Sequence, residues 1–301
     1  MLETRAFEPS YLERLDGLIL GARRARTSRA GRRVLGRLQG AGIEPENFRE
    51  YSVGDDLRFL DWNAYARLDD LTIRTFRAER QVEMTILIDA SASMGLPHDD
   101  DKLGLALLLG ASLAYIGMNE NDPVRLAAFA LRHGVPDLVV TPFRRRRETY
   151  PEFREFVGGT KCGGETQLGA AVHHLMRERR APGIVIVISD FLVSAADYED
   201  ALSQLLAAHH EVKAIHVMGD REREGNYPAG SYRVRDCETG VLRDVTFNPA
   251  MAELCRQRAE RHAAQVSGFC ARRGVTYMPA FGASRLDEIL TREFPRFGVM
   301  A

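Results

Sequence analysis

Two apolar runs constrain the fold of this chain more than any other feature of its sequence. Met84 to Ile88 and Ile184 to Ile188 are continuous stretches of mostly branched apolar residues, without the alternation of a half-buried strand. A strand that is apolar on both faces needs cover on both faces, as the central strands of a parallel sheet do. We therefore expect an α/β fold with a doubly wound, mostly parallel sheet.

The segments around these runs alternate between helical and extended patterns, as a doubly wound fold requires. Residues 102–118 are apolar almost all round, which predicts a buried helix. The other predicted elements are strands at 124–129, 138–141, 212–217 and 275–278, a helix at 195–209, an inserted hairpin near 230–247, a long helix from Pro249 to about Arg273 capped by Asn248, and a closing helix from Ser284.

The composition changes along the chain and predicts three parts. Residues 1–42 hold a short amphipathic helix, with Ser10 and Glu13 as its capping box, and an arginine-rich arm. Residues 43–80 mix aromatic and charged side chains around a Gly-Asp-Asp turn, which predicts a small β-rich subdomain. Residues 81–301 form the predicted α/β domain.

The overall charge and the cysteines disfavour several classes of protein. With 41 basic and 42 acidic residues the chain is close to neutral, which gives no reason to expect nucleic acid or an anionic membrane as a general partner. The four cysteines have no C-x-x-C spacing, so neither a disulfide framework nor a zinc site is predicted. The sequence shows no signal-peptide pattern and no run that reaches about 18 uncharged apolar residues, so we expect a cytoplasmic protein without membrane insertion.

Polar residues directly follow both apolar runs. Asp89, Ser91 and Ser93 come after the first run at alternate positions. Asp190 comes after the second run, and Thr166 lies in a glycine-rich turn just before a predicted helix. Because open parallel sheets bind ligands beyond the carboxyl ends of their strands, we expect these five side chains to converge.

The donor atoms of this set favour a hard cation. Two carboxylates and three hydroxyls, with no nitrogen or sulfur donor, suit Mg²⁺ or Mn²⁺. Thr160 competes with Thr166 as the threonine ligand. Each residue alone also fits an ordinary turn or helix cap, but their joint occurrence in this order favours a metal site.

The order Asp89-x-Ser91-x-Ser93, then Thr166, then Asp190 resembles the metal-ion-dependent adhesion site of von Willebrand factor type A domains. The element pattern from about residue 81 onward is similar to that fold. The resemblance implies that the aspartate and serines of the first motif hold the ion, directly or through water. It further implies that Thr166 ligates the ion in the engaged state, that Asp190 acts mainly through water, and that a partner's carboxylate completes the coordination.

The upstream sequence resembles the bacterial domain-of-unknown-function 58 family, whose members combine a charged and aromatic block with an A-type domain. The residues that carry the resemblance are Arg49, Tyr51, Gly54, Asp55, Asp56, Arg58, Asp61, Trp62, Arg67, Arg74 and Glu79. The resemblance implies an adaptor or client-presenting partner of a MoxR-type AAA+ ATPase, with an acidic client as a further candidate for the bound protein. The sequence leaves two roles open for the block: a network of charges that fixes the subdomain, or a second binding face.

A metal-dependent hydrolase, such as a phosphatase, is the alternative function, because an aspartate beside Mg²⁺ can act as a nucleophile or activate water. Haloacid-dehalogenase-like phosphatases need a second aspartate where this chain has Ser91, which disfavours that class. His173 and His174 lie in a predicted helix without a clear line to the metal. Nucleic-acid binding through the arginines at 23–37 and 144–147 is a third, less favoured function.

Overall fold

The computed structural model describes residues 2–17, 45–51, 60–68, 71–76, 82–178, 181–237, 240–282 and 286–294. The predicted arginine-rich arm and the start of the closing helix at Ser284 lie outside these ranges. Two compact units are present, one made of Met1–Arg29 with Val82–Ala301 and the other of Ala30–Gln81. The predicted segment 1–42 is therefore divided between the two units.

The described strands are β1 (Pro45–Glu50), β2 (Thr72–Phe76), β3 (Met84–Asp89), β4 (Val124–Arg132), β5 (Val135–Val140), β6 (Ile184–Ser189), β7 (Glu211–Met218), β8 (Gly230–Arg235), β9 (Leu242–Phe247) and β10 (Thr276–Phe281). The described α-helices are α1 (9–17), α2 (Trp62–Leu68), α3 (Lys102–Asn119), α4 (Phe153–Gly159), α5 (Leu168–Arg177), α6 (Ala195–Ala207), α7 (Asp220–Glu224), α8 (Pro249–Arg273) and α9 (Leu286–Glu288). Short 3₁₀ turns at Glu3–Phe7, Ala92–Gly95, His98–Asp100 and Arg147–Glu152 and a π turn at Ile289–Glu293 complete the set.

The large unit is built on a six-stranded sheet with the order β10-β7-β6-β3-β4-β5. Neighbouring strands are parallel except for β5, which runs antiparallel to β4 at one edge. Every residue of β3 is buried, and its apolar side chains belong to two hydrophobic clusters, one on each face of the sheet. The predicted α/β class with a doubly wound, mostly parallel sheet is confirmed.

Helix α3 fills the core on one face of the sheet. Its residues are buried along almost the whole length, as its apolar sequence predicts. The stretch His98–Asn119 is the one described segment that is long and apolar enough to cross a membrane. Within its apolar window of 18 residues, 89% is buried inside the protein. The packing is that of a core helix.

The N-terminal residues belong to the same core. Tyr11 and Leu15 of α1 are buried, and the Tyr11 hydroxyl is 2.8 Å from the Ser112 hydroxyl on α3. The Tyr150 hydroxyl donates to the carbonyl of Ala6 at 3.0 Å. The first helix is thus an integral part of the large unit.

The smaller unit contains an antiparallel pair, β1 with β2, and the short helix α2. Backbone bonds from Tyr51 to Leu71 and from Asp61 to Thr72, both 2.8 Å, fasten the segments that flank these strands. The Asp61 carboxylate accepts from the amide of Ala64 at 3.2 Å, at the start of α2. The carboxylate of Asp61 thus satisfies one of the free backbone amides at the start of this short helix.

The C-terminal strand is longer than its sequence suggests. The sequence predicts a strand that ends at residue 278, before Pro279, whereas β10 continues to Phe281. Proline lacks an amide hydrogen and is tolerated in edge strands, and β10 is an edge of the sheet. The predicted cap of the preceding helix is present, since the Asn248 side chain accepts from the amide of Met251 at 2.9 Å.

Substitution of Leu108, a fully buried residue of α3, with alanine should lower the free energy of unfolding by about 2–5 kcal/mol, because it leaves a cavity in a packed core. The matched control is Leu242→Ala in the exposed hairpin, where the side chain is 60% exposed and the expected change is within about 0.5 kcal/mol. Urea unfolding monitored by circular dichroism measures both. Equal effects would contradict the placement of α3 in the core.

Candidate functional site

The candidate site begins with two acids at the carboxyl ends of neighbouring strands. Asp89 is the last residue of β3, and Asp190 directly follows β6. The two strands are paired in parallel with Ile88 opposite Ile188, so both acids leave the sheet at the same edge. Their relative exposures are 0% and 1%, which makes this an unusual burial of two carboxylates.

The two serines after Asp89 fold back toward its carboxylate. The amide of Ser91 donates to Asp89 Oδ1 at 2.9 Å. The hydroxyls of Ser91 and Ser93 lie 3.0 Å apart, and both residues are buried. The turn that follows β3 therefore gathers one carboxylate and two hydroxyls, as the sequence predicts.

Ser189 is a member of this group that sequence reasoning did not select. Its hydroxyl donates to Asp89 Oδ2 at 2.6 Å and accepts from the amide of Phe191 at 2.9 Å. The available signal was a hydroxyl at the last position of an otherwise apolar strand. Phe191 is buried with a φ of 52°, a left-handed conformation that is strained for a non-glycine residue.

The loop that carries Thr166 is attached to the turn after β3 by backbone hydrogen bonds. The amide of Gly163 donates to the carbonyl of Ala90 at 2.9 Å, and the amide of Ala92 donates to the carbonyl of Gly164 at 2.8 Å. Gly164 has a φ of 77°, which favours glycine. Two residues further on, Thr166 is buried.

The alternative threonine has a different environment. The hydroxyl of Thr160 donates to the carbonyl of Phe156 at 2.7 Å, where it closes the end of α4. The geometry therefore favours Thr166 over Thr160, and the role of Thr166 as a ligand stays a prediction.

A buried ammonium group lies beside the second acid. Lys102 Nζ is 2.9 Å from Asp190 Oδ2 and 3.1 Å from Glu222 Oε2, and Lys102 is 1% exposed. Burial lowers the pKa of this ammonium, but the charges of Asp190 and Glu222 outweigh that effect and raise the pKa above its usual value. Neither Lys102 nor Glu222 was predicted as a site residue from the sequence. The one local signal was a lysine at the start of an apolar helix.

Two histidines lie close to Asp190. A ring nitrogen of His262, Nε2, is 3.0 Å from the carbonyl oxygen of Asp190. His216 is buried with its Nδ1 3.0 Å from the Tyr277 hydroxyl, and burial followed by the nearby His262 lowers the pKa of His216 to about 3. His216 is therefore neutral at ordinary pH. His173 and His174, the two histidines of the helix after Thr166, are exposed on α5.

The electrostatics of the group fit a bound cation. Burial and then the charge of Asp190 raise the pKa of Asp89 to about 7, so ionised Asp89 lacks full compensation. Three carboxylates, those of Asp89, Asp190 and Glu222, are grouped with one ammonium, which leaves two negative charges unbalanced when all four groups are ionised.

A divalent cation would supply the balancing charge. Among the described residues, no group of three or more His, Cys, Asp or Glu side chains is arranged as a metal site, so a cation at this edge depends on hydroxyl ligands as well. The oxygen donors suit Mg²⁺ or Mn²⁺. The residues that would hold the ion are Asp89, Ser91, Ser93, Thr166 and Asp190.

The residues of the charged and aromatic block lie in the smaller unit or outside the described ranges. Asp61 is buried, Tyr51 is partly buried and Trp62 is 62% exposed. Arg49, Arg67 and Arg74 lie in β1, α2 and β2. The residues outside the described ranges are Gly54, Asp55, Asp56, Arg58 and Glu79.

The fold and the grouped side chains define a doubly wound α/β protein with a candidate cation site at the carboxyl edge of its sheet. Residues 47–267 match the family described as "Protein of unknown function DUF58". The match spans more than half of the chain, and the chain belongs to this family. The family prediction is confirmed.

The chain is similar to curated proteins that are described as uncharacterized. The chain is 29% identical over 267 residues to an uncharacterized protein of Mycobacterium tuberculosis, covering 87% of this chain and 78% of the relative. An uncharacterized protein of Mycobacterium bovis matches with the same identity and coverage.

Solved structures match at low similarity. The conserved hypothetical protein BatB from Bacteroides thetaiotaomicron gives a TM-score of 0.41 at 16% identity, covering 72% of this chain and 98% of BatB. The VWA domain of SpRpn10 gives 0.43 at 10% identity, with 71% and 95% coverage. Manganese-loaded TRAP protein from Plasmodium vivax gives 0.34 at 18% identity, with 49% and 64% coverage. These values are too low to transfer a function to this chain.

The Ser189→Ala variant should raise the pKa of Asp89 in the metal-free protein above its value of about 7, because the hydroxyl of Ser189 donates to the ionised carboxylate. Carbon-detected NMR titration of labelled aspartate carboxyl groups measures this pKa. Ser203→Ala is the control, since Ser203 bonds to the carbonyl of Glu199 on α6. An unchanged or lower pKa in Ser189→Ala would contradict the described hydrogen bond.

Proposed function

We propose that this protein is a non-enzymatic interaction module that binds a carboxylate of a partner protein through Mg²⁺ or Mn²⁺ at the carboxyl edge of its sheet. The observation that carries the proposal is the group of buried oxygen donors after β3 and β6, where the negative charges of two neighbouring acids are incompletely balanced. When bound, the ion would offer a coordination position to an outside oxygen ligand.

The side chains at this site have different proposed roles. Asp89 and the hydroxyls of Ser91 and Ser93 form the cradle for the ion, and the Thr166 loop is attached to the same turn. The oxygens of Asp190 already accept from Lys102 Nζ at 2.9 Å and from the amide of Leu192 at 3.2 Å. These bonds support an indirect role for Asp190 through water.

The proposed partner is a MoxR-type AAA+ ATPase or an acidic client protein, bound in the cytoplasm, in a chaperone-like or complex-assembly role. The support for this partner is the family resemblance, and the support for an acidic contact is the cation site. A carboxylate of the partner would form a coordinate bond to the divalent cation, since carboxylate oxygens are among its preferred ligands.

A metal-dependent hydrolase is the second candidate. The observation that favours it is the raised pKa of Asp89, since acids that act in proton transfer have pKa values near the working pH. Complete burial and bonds from Ser91 and Ser189 to both carboxylate oxygens argue against Asp89 as a nucleophile. A screen with phosphate esters tests this candidate, and turnover that disappears in Asp89→Asn would favour it.

Addition of Mn²⁺ to the metal-free protein should raise its melting temperature, because a ligand that binds the folded state alone stabilises it, by about 2.7 kcal/mol at a hundredfold excess over Kd. Asp89→Ala should abolish the shift. Asp244→Asn, on the exposed hairpin, is the control and should retain it. Differential scanning calorimetry at fixed pH measures the shift, and an equal shift in Asp89→Ala would contradict the assigned site.

Capture of the cognate MoxR-type ATPase from purified components should require Mg²⁺ and fall to background in EDTA, because the proposed contact includes the ion. Asp89→Ala should behave in Mg²⁺ as the unchanged protein does in EDTA. Surface plasmon resonance gives the affinities. Undiminished capture in EDTA would overturn the metal-dependent contact.

A further inference from the structure

The environment of Lys102 is more elaborate than a structural ion pair requires. Its ammonium group lies between Asp190, which follows β6, and Glu222 on α7, and the helix α3 that carries it fills the core. One carboxylate would balance a buried lysine. Two carboxylates contact this one, while the neighbouring acid Asp89 has no ammonium partner among the contacts described above.

Local structure fixes the start of α3, where Lys102 lies. Asp101 adopts a left-handed conformation with a φ of 40°, and its side chain accepts from the amide of Gly104 at 3.2 Å. The turn of α7 that carries Glu222 is fixed from the same side, since the Asp100 carboxylate accepts from the amides of Arg221 and Glu222.

The turn before α7 packs closely against Asp100. A Cβ atom at Gly219 would overlap the Asp100 carboxylate. The amide of Gly219 also donates to Glu222 Oε2, although at a long distance of 3.4 Å. Lys102 and Glu222 are therefore held in place by the backbone around them, independently of any ion.

We propose that Lys102 is a positioning residue that sets how strongly the site holds its divalent cation and how much of the cation's charge remains for a partner's carboxylate. Lys102 engages Asp190 and, among the described residues, leaves Asp89 as the acid that no ammonium group contacts. Glu222 acts in the opposite direction, because it withdraws part of the ammonium's charge from Asp190. The inference rests on the proposed function and specifies how the same site is tuned.

Two substitutions should change cation affinity in opposite directions. Lys102→Met removes a positive charge beside Asp190, so Mn²⁺ should bind more tightly, on the order of tenfold. Glu222→Gln removes a negative charge and leaves Lys102 to Asp190 alone, so Mn²⁺ should bind more weakly, by about threefold or more. Glu224→Gln is the matched control on α7, since Glu224 pairs with Arg223 at the surface, and its affinity should not change.

Electron paramagnetic resonance of free Mn²⁺ measures these affinities directly, without a partner protein. Acetate, titrated into the Mn²⁺-loaded proteins by calorimetry, reports the charge left for an outside carboxylate, and Lys102→Met should bind it more weakly than the unchanged protein. A merely structural role for Lys102 predicts that both substitutions weaken Mn²⁺ binding. Shifts in the same direction, or no shift in either variant, would overturn the inference.

The double variant Lys102→Met/Glu222→Gln covers the case in which the single lysine substitution fails to fold, because it removes both members of one partly buried ion pair. It should bind Mn²⁺ more tightly than Glu222→Gln alone, and equal or weaker binding would overturn the inference. Failure of the unchanged protein to bind Mn²⁺ would overturn the proposed metal function and this inference together. Binding by the unchanged protein without the expected differences would overturn the role of Lys102 alone.

Discussion

The parallel pairing of β3 with β6 is the constraint on which the rest of the site depends, because it brings two acids out of the sheet side by side. Carboxylates that share a buried edge repel one another and lose hydration. Hydrogen-bond donors partly compensate for this cost: the amide of Ser91, the hydroxyl of Ser189 and the ammonium of Lys102. The donors lie in the turn after β3, at the end of β6 and at the start of α3. The two carboxylates therefore connect three separate parts of the chain.

The compensation is unequal between the two acids. Asp190 pairs with the ammonium of Lys102, which it shares with Glu222, whereas Asp89 receives hydrogen bonds from neutral groups. Burial and then the charge of Asp190 raise the pKa of Asp89 to about 7, and the hydrogen bonds offset only part of that rise. A fold selected for stability alone gains little from such a group, since apolar residues of similar volume often stabilise a core as well or better. Under the proposed function, an ion and an outside ligand would complete the charge of this site.

Much of this arrangement could be predicted from the sequence because it is local. Continuous apolar runs specify central strands, and residues at their carboxyl ends reach the ligand-binding edge of any parallel sheet. The contacts of Lys102 could not be predicted, since its partners are 88 and 120 residues away, and only the tertiary fold brings the end of β6 and the helix α7 to the start of α3. The extent of β10 was missed for a similar reason: Pro279 is acceptable only because the strand lies at an edge, and edge position is a property of the whole sheet.

The packing of the N-terminal helix has a consequence for how the chain is made. Tyr11 contacts a residue 101 positions later, and Ala6 accepts a hydrogen bond from a residue 144 positions later. During synthesis the first helix leaves the ribosome well before the core that receives it exists, and residues 30–81, a separate compact unit, are made in between. The smaller unit is thus inserted in the sequence of the larger one. Helix α1 therefore has no core to pack against while the whole of residues 30–81 is synthesised.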